Sequence, residues 1–311
     1  MIRKKIRNYI LMTMLLIATL FLTSCNFQYL LDRRNQDFTY GNQTTESVTT
    51  EQGQYVPREE DFAGSAVRLN GTVLAVLIFL DDSESTWNTN DMNEVKERFD
   101  IAADYIEESA QAYGKQVDII TDTGNYGDLS YETYYNGYVE DFDTLTEYDY
   151  DPFQEALIDE INYNIPTTSL LQKYNAQSIA YIGVVNKDGR SYAYPYDTEY
   201  DQRYYYEVGC IFFTDETYGE EEPPAVYAHE LLHLFGAQDL YENSDSYYNY
   251  FSSGQYDHIE TYYANEIMYT TYDEYGYSVQ GWVSNDISHI TAYYLGWVDT
   301  LPTGFVNQGQ Y

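Results

Sequence analysis

Apolar and polar positions along the chain follow two rhythms, one of strands and one of helices. Residues 72 to 80, TVLAVLIFL, are apolar almost throughout, the pattern of a strand covered on both faces. Met92, Val95, Phe99, Ala102, Ala103, Ile106 and Ala110 then recur at three- and four-residue steps, the stripe of an amphipathic helix with Gly114 as its stop. QVDII at 116 to 120 predicts a second strand, so the opening unit is strand, helix, strand, which favours a right-handed crossover and a partly parallel sheet. SIAYIGVV at 178 to 185 and EVGCIFF at 207 to 213 predict further strands. RSYAYPY at 190 to 196 predicts an edge strand, because Pro195 cannot donate to a central ladder.

Short helical patterns occupy Phe153 to Ile161 and Thr167 to Tyr174, and NDISHITAYYLGW predicts a last helix from Asp286 to Leu295 that closes on Gly296. Residues 122 to 150, acidic and rich in tyrosine, predict an irregular surface insertion, and the stretch before Ser284 predicts loops.

The N-terminus follows a different logic. Arg3, Lys4, Lys5 and Arg7 precede an apolar run from Tyr9 to Leu22, short for a bilayer span and flanked like a signal peptide. It ends in Leu22-Thr23-Ser24-Cys25, which resembles the bacterial lipoprotein lipobox. That resemblance implies a signal peptide over 1–24, lipidation of Cys25, and export to the outer side of the cell membrane, with membrane contact through the lipid anchor alone. Residues 25–66 are polar, rich in Ser, Thr, Gln and Glu, and predict a flexible tether to a domain over 67–311.

Composition narrows the partners. The chain has 51 acidic and 15 basic residues, a formal net charge of -36. Removing the four basic residues of the signal makes the balance about -40, which argues against a nucleic-acid partner. Such a surface could attract cationic peptides or metal ions, but a solvated surface adapted to its surroundings is the favoured explanation. Tyrosine is abundant, at 39 residues, and exposed tyrosines can build contact surfaces for glycans or peptides. Cys210 is the only cysteine besides Cys25 and sits in an apolar run, so no intramolecular disulfide is expected and Cys210 reads as a small buried hydrophobe.

The chemistry concentrates in YAHELLHLFGAQDLY, residues 227 to 241. Pro223 and Pro224 suit a helical first turn, so Ala225 to Phe235 can be helical, and His229 and His233, four apart, then point the same way and can meet one ion. Glu230, one helical step round, can reach a water at that ion without being a ligand. Gly236 can take the left-handed conformation that ends a helix and swings the chain back, placing Asp239 as a third ligand. A fourth position stays open for water, as in catalytic rather than structural zinc sites.

The pattern HExxHxxGxxD resembles the metzincin zinc peptidases, in the snapalysin-like subset with aspartate as third ligand. The order of predicted elements, the segment Asn265-Glu266-Ile267-Met268-Tyr269 in the place of a Met-turn, and the last helix extend the resemblance over roughly residues 67 to 300. It implies an α+β, metzincin-like fold: a five-stranded mixed twisted sheet with helices in an N-terminal subdomain, 67–236, and a smaller loop-rich C-terminal subdomain, 237–311. It also implies one catalytic Zn2+ on His229, His233 and Asp239, Glu230 as general base, Met268 beneath the ligands, and a monomeric endopeptidase whose partner is a peptide or protein substrate. Substrate would lie along the RSYAYPY edge, a place that an ordinary surface hairpin would fill as well. The chain departs from the family at Thr270, where several metzincins carry a tyrosine; Tyr269 and Tyr272 stand nearby, and neither is assigned by position.

Two alternatives compete. One keeps the zinc but takes Glu266, on a short predicted helix, as third ligand, in the manner of the thermolysin-like gluzincins. The other is a non-catalytic, tyrosine-rich surface-binding lipoprotein. His258 in a polar loop and His289 on the last helix read as structural or surface residues. Asp239, Glu242 and Asp245 place several oxygen donors close together, but no EF-hand-like loop accompanies them and no Ca2+ site is assigned.

Overall fold

In the computed structural model, the apolar run at 72 to 80 forms β1 (Gly71–Asp81), and its two-sided burial follows from alternation along the strand. Val73, Ala75, Leu77 and Phe79 enter one hydrophobic cluster, while Leu74, Val76, Ile78 and Leu80 enter another. Successive strand side chains point to opposite faces, so these are the two faces of one sheet. The structure describes residues 64–66, 68–122, 127–140, 151–195, 207–215, 219–242 and 251–305. The expected signal peptide, Cys25 and nearly all of the expected tether lie outside them. Among the described residues no helix is long and apolar enough to cross a membrane.

The sheet contains β1, β2 (Val117–Ile120), β3 (Ser130–Tyr134), β4 (Ser178–Gly189), β5 (Tyr192–Tyr194) and β6 (Val208–Asp215). Its order is β2-β1-β4-β6-β5, with β3 also paired to β1. All pairings are parallel except that of β5 with β6. One face is covered by α1 (Thr89–Ala112), through Val95, Phe99 and Ile106, and by α4 (Pro224–Leu234). The other carries α2 (Pro152–Tyr163), through Phe153 and Leu157, and α3 (Thr167–Tyr174), through Leu170. Each large apolar side chain buried in this way contributes roughly 1.5–3 kcal/mol.

Four expectations are corrected. The sheet has six strands rather than five, because Ser130–Tyr134, within the stretch expected to be irregular, pairs with Leu77 to Asp81 of β1. This strand meets only the far end of β1 and keeps Glu132 and Tyr134 exposed, so its sequence carries no apolar run. The expected loop region contains α5 (Ser253–Tyr262), started by a capping box of Ser252 and Gln255, and His258 therefore lies on a helix. Glu266 lies in a turn bridged to Asp286, not on a helix. The last helix, α6 (His289–Tyr294), is shorter than expected, with Ser288 as N-cap.

Residues past α4 share the core of the α1 face: Leu240, Ile267, Met268 and Ile290 belong to the same cluster as Phe99 and Leu231. Hydrogen bonds that fasten this part to the rest include those from Trp297 Nε1 to the Leu69 carbonyl and from the Tyr113 hydroxyl to the Ile287 carbonyl, both 2.8 Å. At the start of the described chain Ser65 and Ala66 are buried, and Glu207 binds them: its Oε2 accepts from Ser65 N at 2.6 Å, Ser65 Oγ at 2.7 Å and Ala66 N at 3.0 Å. Burial pushes the Glu207 carboxyl up to about 7 despite these donors.

Candidate metal centre

Helix α4 begins at Pro224, where proline costs no helical hydrogen bond, and is buried along nearly its whole length. It ends in a Schellman motif. Gly236 N–H donates to the His233 carbonyl at 2.9 Å and Ala237 N–H to the Leu232 carbonyl at 3.1 Å. Gly236 holds φ at 95°, a value side-chain-bearing residues avoid, so the reversal at this point requires glycine. The turn carries Asp239 back over the helix.

His229, His233 and Asp239 converge. The two Nε2 atoms are 3.0 Å apart, and Asp239 Oδ1 lies 3.3 Å from His229 Nε2 and 3.2 Å from His233 Nε2. Ligand atoms held about 2.0–2.1 Å from a tetrahedral zinc stand about 3.3 Å from one another. The triangle therefore has the size such an ion requires.

The hydrogen bonds behind the rings fix which atoms face inward. His229 Nδ1 lies 2.9 Å from the Ile267 carbonyl, and His233 Nδ1 lies 2.8 Å from the Ala237 carbonyl. A carbonyl only accepts, so each Nδ1 carries a proton, and a ring in its neutral form offers the Nε2 lone pair to the shared point. Asp239 Oδ1 is buried and accepts no hydrogen bond among the described residues. Three ligand atoms thus converge on one point, where a cation can share their lone pairs. The His-His-Asp group could bind a metal.

A proton can compete for the same point. Burial opposes charge on His229, but the carboxylates of Asp239 and Glu230 outweigh it and hold the imidazole up to about 9. Burial would raise Asp239, yet His233 and His229 hold it well below the usual carboxylate range. Metal binding here must displace that proton.

The segment around Met268 holds the ligand group from below. Besides the Ile267 carbonyl on His229, the Met268 carbonyl accepts from Leu240 N at 2.8 Å, directly after Asp239. Met268 itself is fully buried. Glu266 is committed to shaping this turn: its Oε2 accepts from Met268 N, and its Oε1 from Ser288 N at 3.1 Å and from the Thr291 hydroxyl. Among the described residues, the group that could hold a metal contains Asp239 and not Glu266.

Glu230 differs from Glu266. It is 5 % exposed, yet its Oε2 accepts no hydrogen bond among the described residues. Burial raises its pKa, partly offset by His229, His233 and the more distant Arg190. It lines a cleft of about 300 Å3 together with His229, Arg190, Glu222, Tyr241 and Tyr272. Tyr269 and Thr270 border the same cleft.

β5 forms the sheet edge next to α4, paired antiparallel to β6 from Tyr192↔Cys210 to Tyr194↔Val208. Just before it, Arg190 and Ser191 reach the cleft. The remaining histidines lie elsewhere: His258 stacks 5.4 Å from Phe305, and His289 Nε2 donates to the Thr300 carbonyl at 3.0 Å. Of the candidate calcium donors, Glu242 is exposed and Asp245 falls outside the described residues.

The sequence reading missed Glu222, Arg190 and Tyr241. The signal for Glu222 was an acidic run, Glu220-Glu221-Glu222, directly before the helix-starting prolines. Arg190 and Tyr241 stood beside recognised segments, but nothing in their spacing told which way they would face.

No protein-family model matches the chain, and no curated protein matches it. Among solved structures, the crystal structure of metalloproteinase-II from Bacteroides fragilis aligns at 13 % identity and a TM-score of 0.33, covering 74 % of this chain and 53 % of that one. A chaperone-substrate complex aligns at 13 % identity and a TM-score of 0.32, covering 74 % of this chain and 35 % of that one. The chain thus spans about half the length of the first and about a third of the second. Likeness this low transfers neither fold nor function.

Proposed function

We propose that the chain is a zinc-dependent endopeptidase in which His229, His233 and Asp239 hold the ion and Glu230 is the general base. The carrying observation is the convergence of three ligand atoms, His229 Nε2, His233 Nε2 and Asp239 Oδ1, next to a buried glutamate whose Oε2 has no hydrogen-bond partner among the described residues. A zinc ion there would supply Lewis acidity, polarising a peptide carbonyl and making water acidic near pH 7.

Glu230 then has a defined task. Its free Oε2 takes a proton from the attacking water, and the same carboxyl returns that proton to the leaving amine as the peptide bond breaks. Burial raises its proton affinity, which favours taking the proton from water. His229, His233 and Arg190 oppose that rise and favour the ionised carboxylate.

Substrate is proposed to lie along β5, where an extended peptide can add main-chain hydrogen bonds at the sheet edge. The domain would act as a monomer outside the cytoplasm, tethered through Cys25. Glu266 as third ligand is disfavoured by its three internal donors. A purely structural zinc would not need Glu230 buried without a partner.

The test compares native protein, native protein with chelator, and Glu230→Gln on a denatured-protein panel. Cleavage by native protein alone, with zinc retained in the variant, supports the reading. Cleavage that survives both chelation and Glu230→Gln removes it.

A further inference from the structure

We propose that the cleft beside Glu230 takes a lysine or arginine side chain of the substrate next to the cleaved bond, with Glu222 as its specificity-determining carboxylate. This inference rests on the peptidase reading and adds a substrate class to it.

Glu222 lies two residues before α4, where its N–H donates to the Phe213 carbonyl at 2.9 Å and fixes it against the end of β6. It is 6 % exposed, yet it lines the same cleft as Glu230. Buried carboxylates in folded proteins are ordinarily paired with a cation. The groups that set the charge of Glu222 are its burial, the carboxylates of Asp215 and Glu230, and the Ser191 hydroxyl, and none of them is cationic. Burial and the two carboxylates push it up to about 8. An ammonium or guanidinium group entering the cleft would supply the missing partner and favour the ionised form.

The other walls suit the same guest. Asp215 adds a second carboxylate, while Tyr269 and Tyr272 present aromatic surface. Lysine and arginine combine an apolar stem with a charged head, and aromatic rings accept both parts. About 300 Å3 of space accommodates such a long side chain. Arg190, the one lysine or arginine among the described residues that line this cleft, is exposed, and it is not among the groups that act on Glu222. Glu230 Oε2, buried and without a hydrogen-bond partner, also faces this cleft and marks it as built to receive a ligand. In the proposed mechanism Glu230 handles protons, whereas Glu222 has no part in the bond-breaking step.

The test separates recognition from hydrolysis. Calorimetry on zinc-loaded full-length Glu230→Gln protein would compare two peptides that differ at one position, lysine or its neutral isostere norleucine. The inference expects the lysine peptide to bind about tenfold tighter or more, and Glu230→Gln/Glu222→Gln to bring the ratio near one. Equal binding of the two peptides, no binding of either, or a preference that survives Glu222→Gln would overturn it. Should Glu222→Gln fail to fold, lysine against acetyl-lysine peptides on protein with Glu222 intact gives the same decision: equal affinity refutes the inference and a matching preference upholds it. If the binding preference is found but native protein cleaves neither peptide, the peptidase reading fails and the cationic pocket stands.

Discussion

Two segments of the molecule each bury a glutamate, and they treat it in opposite ways. In 263–295, Glu266 is 1 % exposed and receives hydrogen bonds from Met268 N, Ser288 N and Thr291 Oγ1, which close a turn onto the start of α6. In 224–240, Glu230 is almost as deeply buried and leaves Oε2 without a donor, facing a cleft. Burial raises the proton affinity of both. The donors around Glu266 turn that cost into a fixed turn, which sets the Ile267 carbonyl against His229. The oxygen left without a donor is the one on which the proposed chemistry rests, and the satisfied glutamate shapes the turn that meets His229.

The largest expected effect that sharpens this contrast is on catalysis. Glu230→Gln removes the base and should lower kcat by about 10²–10⁴-fold while zinc content is unchanged, as metal analysis of the purified variant would show. Glu266→Ala, by comparison, leaves three donors unanswered and should cost about 3 kcal/mol of stability, read by denaturant unfolding. The two substitutions should also separate in zinc affinity measured by chelator competition. Asp239→Ala should lose more than the 10–100-fold (about 1.4–2.7 kcal/mol) typical of removing a supporting hydrogen bond, and Glu266→Ala should stay within or below that range.

A smaller effect tests the turn that joins ligand to helix. Gly236→Ala forces an L-residue to adopt φ near 95° and should cost about 1–2 kcal/mol, with weaker zinc binding because Asp239 is displaced. Unchanged stability in that variant would show that the reversal does not depend on glycine.

The smallest effect concerns another buried glutamate, Glu207. Its folded pKa, about 7, lies above an unfolded value near 4.5, so its contribution to stability is fully present below the unfolded value and is lost as pH rises through about 7. Thermal unfolding between pH 4.5 and 8 should show a shallower decline in Glu207→Gln than in native protein.

Much of this architecture was legible in the sequence where one rhythm was unmixed. β1, β4 and β6 are covered on both faces and so appear as apolar runs, and α1 carries its stripe from Met92 to Ala110. β3 and α5 were missed for the opposite reason. SYETY mixes polar and aromatic residues without alternation at a partly exposed strand, and α5 buries only Gln255, Tyr256 and Ile259. The same division holds at the site. His229, Glu230, His233, Gly236 and Asp239 sit on one helix and one turn, where spacing fixes direction. Glu222, Arg190 and Tyr272 reach the cleft from separate segments, and their meeting depends on how strands and loops stack in space.

The account stands most directly on what completes the site after the two histidines. Zinc K-edge absorption spectroscopy of the purified full-length protein should show one zinc per chain with nitrogen and oxygen neighbours at about 2.0–2.1 Å, two of them imidazoles and none sulfur. In Asp239→Ala that oxygen-bearing set should be lost or rearranged. Protein free of transition metal, or an unaltered spectrum in Asp239→Ala, would contradict it.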